Sequence, residues 1–144
     1  MNNMINNIYL LNILIPVIFG LIINVYMYIN YEKNDDEKNT YLPPGYIIGI
    51  IWMIILGLLG YTHYLTYYST ASIFVFFVIL YCLLYPFLTT GLKMEQTKIY
   101  NAIAFIFAIT LFIIIYVNKY IYSILILPLL LWSTYVFIVT NLII

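Results

Sequence analysis

Very little in this 144-residue chain can do acid–base chemistry. It has one histidine, His63, one cysteine, Cys82, and five acidic residues, Glu32, Asp35, Asp36, Glu37 and Glu95, all lying in polar stretches between apolar runs. General acid–base catalysis needs titratable groups converging in one pocket, and this pattern does not supply them. A solitary histidine makes a poor metal site, and one cysteine closes no internal disulfide. There is no P-loop or dinucleotide fingerprint, and five lysines are too few for a nucleic-acid surface. The chain is expected to be no enzyme and to need no cofactor or metal.

The residues with chemistry to offer are aromatic. Trp52 sits in the middle of "YLPPGYIIGIIWMIILGLLGYTHYL", residues 41–65, a stretch with no charged residue. At 100° per residue Gly45, Gly49, Trp52, Leu56 and Gly60 fall on one stripe, with Gly57 beside it. Two readings stand. Small residues let helix backbones approach closely, as a GxxxG pair such as Gly45 and Gly49 does in lipid. They also leave a recess walled by an indole, suited to a flat apolar ligand. Trp132 repeats the theme four residues after Pro128, on one face with Leu129 and Val136, and Pro128 is expected to kink its helix and open space beside the ring. In a third segment Tyr81, Tyr85 and Leu88 share a face, next to Pro86. With 17 tyrosines in the chain, spacing by itself selects none of them.

The elements that must carry these residues follow from composition. The chain is 66% hydrophobic and 7% charged, and its mean hydropathy is +1.07, values of an integral membrane protein rather than a soluble domain. Five runs reach the roughly 20 residues that cross a bilayer as helix: 5–28, 45–65, 71–91, 99–117 and 121–143. None carries a charge in its middle, where a Lys or Asp would cost about 2.5–3.5 kcal/mol. Runs such as "IFAITLFIII" lack the alternation of a barrel strand. The first run has no basic start and no A-x-A site, so it reads as a retained span. The expected architecture is all-α: one domain, 1–144, folded as a bundle of five transmembrane helices. Lys33, Lys38, Lys93 and Lys98 fall on one side and Lys119 on the other, which places loops one and three and the C-terminus in the cytosol and the N-terminus opposite. Loop one, residues 29–42, is the longest and ends in Pro43 and Pro44, stiff enough to act as a lid. A formal sterol pattern, "LFIIIYVNK" at 111–119, equally describes ordinary interfacial anchoring.

The segment 41–65 resembles the signature of the translocator protein family, TspO/MBR, also known as the peripheral-type benzodiazepine receptor. Pro43, Pro44, Gly49, Trp52, Gly60, Tyr64 and Leu65 match that signature in register. Further on, "LLYPFLTTGLK" resembles the family's W-x-P-x-F-F-G-x-R, with Tyr85 in place of tryptophan, and "LPLLLW" resembles L-x-P-Y-L-A-W. The chain departs from the pattern at several positions. Tyr41 and Tyr46 stand where the family has tryptophans, and Ile50 and Leu56 are further replacements. Cys82 stands where the family has asparagine, and Thr140 takes the place of a late asparagine, with Asn141 one residue on. The sterol-recognition segment that follows in animal members is missing from the 144 residues.

What the resemblance implies is a multi-pass receptor in the lipid bilayer, dimeric, that binds or transports porphyrin or haem as ligand, with sterols and isoquinoline or benzodiazepine drugs bound by other members. It implies a pocket among helices one, two, three and five. Trp52, Trp132, Gly49, Pro44, Gly45 and Leu129 carry over as its lining, Tyr41, Tyr46 and Tyr85 as aromatic replacements, and Cys82 as a wall residue without the asparagine amide. Some bacterial members degrade porphyrin in light using pocket tryptophans. With several of those replaced, binding without efficient degradation is expected. The alternative is a structural or interaction protein of the membrane, whose glycines serve packing and which takes no small molecule.

Overall fold

The computed structural model describes residues 2–30, 41–92 and 94–143. Lys33, Lys38, Lys93 and most of loop one lie outside them. Of the described residues 91% are helical and none lies in a strand. It folds as five membrane-length helical spans: α1 (Asn2–Asn30), α2 (Gly45–Leu65), α3 (Thr70–Thr89), α4 (Met94–Lys119), and a fifth that begins as a 3₁₀ segment (Tyr120–Ile126) and continues as α5 (Leu127–Ile138). The protein is an integral, multi-pass membrane protein.

Two helix ends differ from the apolar runs. α4 starts at Met94, several residues before its apolar run, because Glu95 in the first turn complements the positive end of the helix dipole. Pro128 does not kink a continuous fifth helix. It occupies the first turn of α5, where its missing N–H costs nothing, while the residues before it tighten into 3₁₀ geometry. Between α3 and α4 the chain reverses at Gly91, whose φ of 76° is a left-handed conformation that side chains resist.

α1 packs on α2 and α3, α2 on α3, α3 on α4 and α4 on α5, and the 3₁₀ segment returns against α2 and α4. The large apolar residues turned outward, among them Ile8, Phe19, Ile22, Phe77 and Ile113, are those expected to face acyl chains. Inside, packing is uneven along the bundle. Ile55, Leu56 and Leu59 of α2, Val75 and Val78 of α3, Leu111 and Ile115 of α4 and Ile126 of the 3₁₀ segment are all at most 2% exposed, and they fill one half. That half is solid, and it lies toward the end where α2 finishes and α3 begins.

The glycine stripe of α2 divides between two environments. A Cβ built on Gly60 would run into the backbone carbonyl of Asn12 and lie 3.1 Å from Ile13 Cα, so this glycine lets α1 and α2 touch backbone to backbone. Gly57 also faces α1, at Val17 and Ile13. Gly45 and Gly49 meet nothing within 4 Å, so no described helix of this chain packs closely on that GxxxG pair. His63 closes the same α1–α2 seam, its Nδ1–H donating to Asn12 Oδ1 at 2.9 Å. The amide of Asn12 is oriented by its own bond to the Ile8 carbonyl. Gly60→Ala is expected to cost about 1–3 kcal/mol of stability and Gly49→Ala to stay within about 0.5 kcal/mol, as read from thermal denaturation of the purified protein in detergent.

Candidate functional site

The other half of the bundle is hollow. A cavity of about 140 Å³ lies there, inside a recess that comes to about 690 Å³ with its mouth included. α2 contributes Ile48 and Trp52, and α3 contributes Val78, Tyr81, Cys82 and Tyr85. α4 contributes Asn101, Ala104 and Phe107, and α5 contributes Leu129, Trp132, Ser133 and Val136. Leu42, just ahead of α2, stands at the mouth. Because α2 and α4 enter at this end while α3 and α5 leave it, the lining is graded along the axis. Val78, Phe107 and Leu129 form an apolar floor against the solid half, and Tyr85, Asn101 and Val136 lie nearer the mouth.

Aromatic rings supply most of the wall. The Trp52 indole lies 5.7 Å from the Tyr85 ring, tilted by 36°, and Trp132 lies 5.7 Å from Tyr135 at 34°. Tyr81 meets Phe107 edge to face at 5.1 Å. These are favourable offset and edge geometries that hold the rings in place without filling the space between them. Neither indole N–H has a hydrogen-bond partner among the described residues.

Polar groups on the wall are tied down by the chain. The Tyr81 hydroxyl donates to the Tyr100 carbonyl at 2.7 Å, and Ser133 donates to the Leu130 carbonyl at 3.1 Å. The Tyr85 hydroxyl donates to Asn101 Oδ1, and Asn101 Nδ2 donates to Thr140 Oγ1 at 3.2 Å. Thr140 in turn donates to the Val136 carbonyl at 2.8 Å. This chain links α3, α4 and the end of the fifth span through one buried amide.

Trp52, Trp132, Tyr85, Cys82 and Leu129, singled out in the sequence, are thus brought to one cavity. Gly45, Gly49, Pro44, Tyr41 and Tyr46 do not line it. α2 is rotated so that Ile48, one turn before Trp52, faces the cavity, while Tyr46 is 72% exposed and the two glycines face open space. Pro44 acts on the backbone, its carbonyl accepting from the N–H groups of Ile47 and Ile48 to start the helix. Tyr41 takes part through its carbonyl, which accepts from the Tyr135 hydroxyl and fastens the chain ahead of α2 to α5 beside Trp132. Residues 31–40 of the expected lid lie outside the described residues, and this fastening is at its described end.

The helices around the cavity are two, three, four and five, not one, two, three and five. α1 is held off by α2 and α3. It borders a small crevice, where Gly20, Ile23 and Asn24 back onto Trp52 and Cys82. α4 was the helix with the least to say in the sequence, yet it brings Asn101, Ala104 and Phe107. A signal for it existed: Asn101, Ala104, Ala108, Leu111 and Ile115 recur at steps of three and four, a core-facing stripe headed by the one amide within the apolar run.

The TspO/MBR family model matches residues 10–143, nearly the whole chain, and the chain belongs to that family. Among curated proteins and among solved structures there is no match. Tyr85→Phe is expected to lower stability by about 1–3 kcal/mol, because it leaves Asn101 Oδ1 buried without a donor, with the loss read as a lower Tm in detergent.

Proposed function

We propose that this TspO/MBR family member binds a flat, largely apolar ligand of the tetrapyrrole class, porphyrin or haem, with one edge between the aromatic walls of the cavity. The observation that carries this reading is that Trp52 and Trp132, from distant parts of the sequence, border one empty cavity with their N–H groups unpartnered among the described residues. Two ring faces offer stacking, and two unspent donors offer a ligand hydrogen bonds that the protein does not itself consume.

Size limits the pose. About 140 Å³ is the scale of a void that takes a single aromatic ring. A tetrapyrrole therefore inserts one edge and leaves the rest in the mouth, where the recess, open space included, comes to about 690 Å³. The ligand meets Leu42 there, and Tyr135 holds the adjoining chain. With loops one and three in the cytosol, as the lysines suggest, the mouth faces the cytosol. Sterols fit less well, since the walls are planar rings and the polar wall groups are spread rather than gathered at one end. The titratable side chains on the cavity wall are Tyr81, Cys82 and Tyr85, with no carboxylate or histidine beside them, which supports binding and delivery rather than catalysis.

Saturable quenching of intrinsic tryptophan fluorescence by micromolar protoporphyrin is expected in detergent or nanodiscs, with Trp52→Phe and Trp132→Phe each weakening binding several-fold. Linear, unsaturable quenching that ignores both substitutions would overturn the reading. Under illumination the bound protoporphyrin is expected to keep its absorption spectrum over many minutes. Rapid light-dependent turnover abolished by Trp52→Phe would contradict a binding role without degradation.

A further inference from the structure

Asn101 is 3% exposed, stands on the cavity wall, and has a hydrogen-bond inventory that can be closed atom by atom. Thr140 has a single hydroxyl hydrogen, which goes to the Val136 carbonyl at 2.8 Å, so toward Asn101 it can only accept. The amide nitrogen must therefore face Thr140, 3.2 Å away, and the amide oxygen must face Tyr85, which donates to it. This fixes an orientation that density seldom distinguishes in an amide. One Nδ2–H is spent on Thr140. The second points about 120° away in the amide plane and has no acceptor among the described residues.

Four other asparagines among the described residues use a local acceptor instead. Asn12, Asn30, Asn118 and Asn141 each donate to the backbone carbonyl four residues earlier, at 2.7–3.0 Å. Asn101 gives up that bond in order to bridge α3 and the end of the fifth span. A donor buried without a partner carries a desolvation penalty that a ligand acceptor relieves.

We infer that Asn101 is the specificity-determining residue of the cavity: Tyr85 and Thr140 hold its amide so that the spare Nδ2–H meets an oxygen acceptor, a carbonyl or carboxylate, on the edge of the bound ligand. This rests on the reading of the cavity as a porphyrin site and adds which edge enters. A ring edge bearing an oxygen is selected over one bearing only alkyl groups. Cys82, a turn before Tyr85 on the same wall, has only a weak S–H donor and cannot take this role.

The test compares two uncharged porphyrins, protoporphyrin dimethyl ester, which carries ester carbonyls, and octaethylporphyrin, which has no oxygen. Both are titrated by tryptophan quenching into wild type and Asn101→Leu. Wild type is expected to bind the ester about ten-fold more tightly, the worth of one buried hydrogen bond. In Asn101→Leu that ratio falls to about one. A ratio that survives the substitution, or equal binding of both by wild type, overturns the inference and leaves the porphyrin site standing. If wild type binds neither saturably, the site itself fails, and the inference with it. Should Asn101→Leu bind neither, the cavity has been lost, and Asn101→Met decides by the same ratio. Its thioether offers Tyr85 a weak acceptor and has no hydrogen to donate.

Discussion

In the hydrocarbon core there is no water to satisfy a polar group, so every hydroxyl and amide inside the bundle has to find its partner on the chain. Most do so locally. Thr62, Thr66, Thr134 and Thr140 return their hydroxyls to carbonyls one turn back, at 2.6–2.8 Å, and so cost the helices little. Where a polar group reaches across instead, it decides how helices meet. His63 with Asn12 closes the α1–α2 seam at one end, and Tyr85, Asn101 and Thr140 join three spans at the other. The two indole N–H groups and one N–H of Asn101 have no protein partner among the described residues, and all three residues border the same cavity.

The division into a solid and a hollow half has a plain steric origin. Toward the far end, branched side chains of α2, α3 and α4 meet Ile126 of the 3₁₀ segment and close the interior. Gly60 draws α1 against α2 there, which braces the pair without inserting a side chain. Toward the near end the lining changes to rings, which pack by edges and tilted faces and cannot collapse into the space they enclose. With Tyr85 where the family pattern has tryptophan, the wall therefore remains an aromatic ring. Tyr85 also provides a hydroxyl, absent from tryptophan, that orients the Asn101 amide. Where the family pattern has an asparagine on helix three, this chain has Cys82, and a buried amide arrives from α4 instead.

Much of this was legible in the residues. Hydrophobic runs separated by charge clusters announced five spans, and two deep tryptophans flanked by proline and glycine marked the aromatic wall. Three things were not. The facing of α2 is one, because Gly45, Gly49, Trp52, Leu56 and Gly60, with Gly57 beside them, look continuous on a helical wheel, while the neighbours divide them: Gly57 and Gly60 turn to α1, Trp52 to the cavity, and Gly45 and Gly49 to neither. The part played by α4 was hidden because Asn101 gains meaning only beside Tyr85 and Thr140, 16 and 39 residues away along the chain. Tyr135 was one of 17 tyrosines until its hydroxyl was seen on the Tyr41 carbonyl.

The sequence by itself determined the class of molecule, since transfer to lipid depends on composition and run length and needs no knowledge of neighbours. It also determined that acid–base chemistry has almost no residues to work with. Tertiary structure decided which four helices surround the cavity, which end of the bundle stays empty, and which amide keeps a donor free. Those depend on helix rotation and on which side chains come within about 3 Å of one another. In an apolar environment, where almost every face is hydrophobic, periodicity alone cannot tell the face turned to lipid from the face turned to a neighbour.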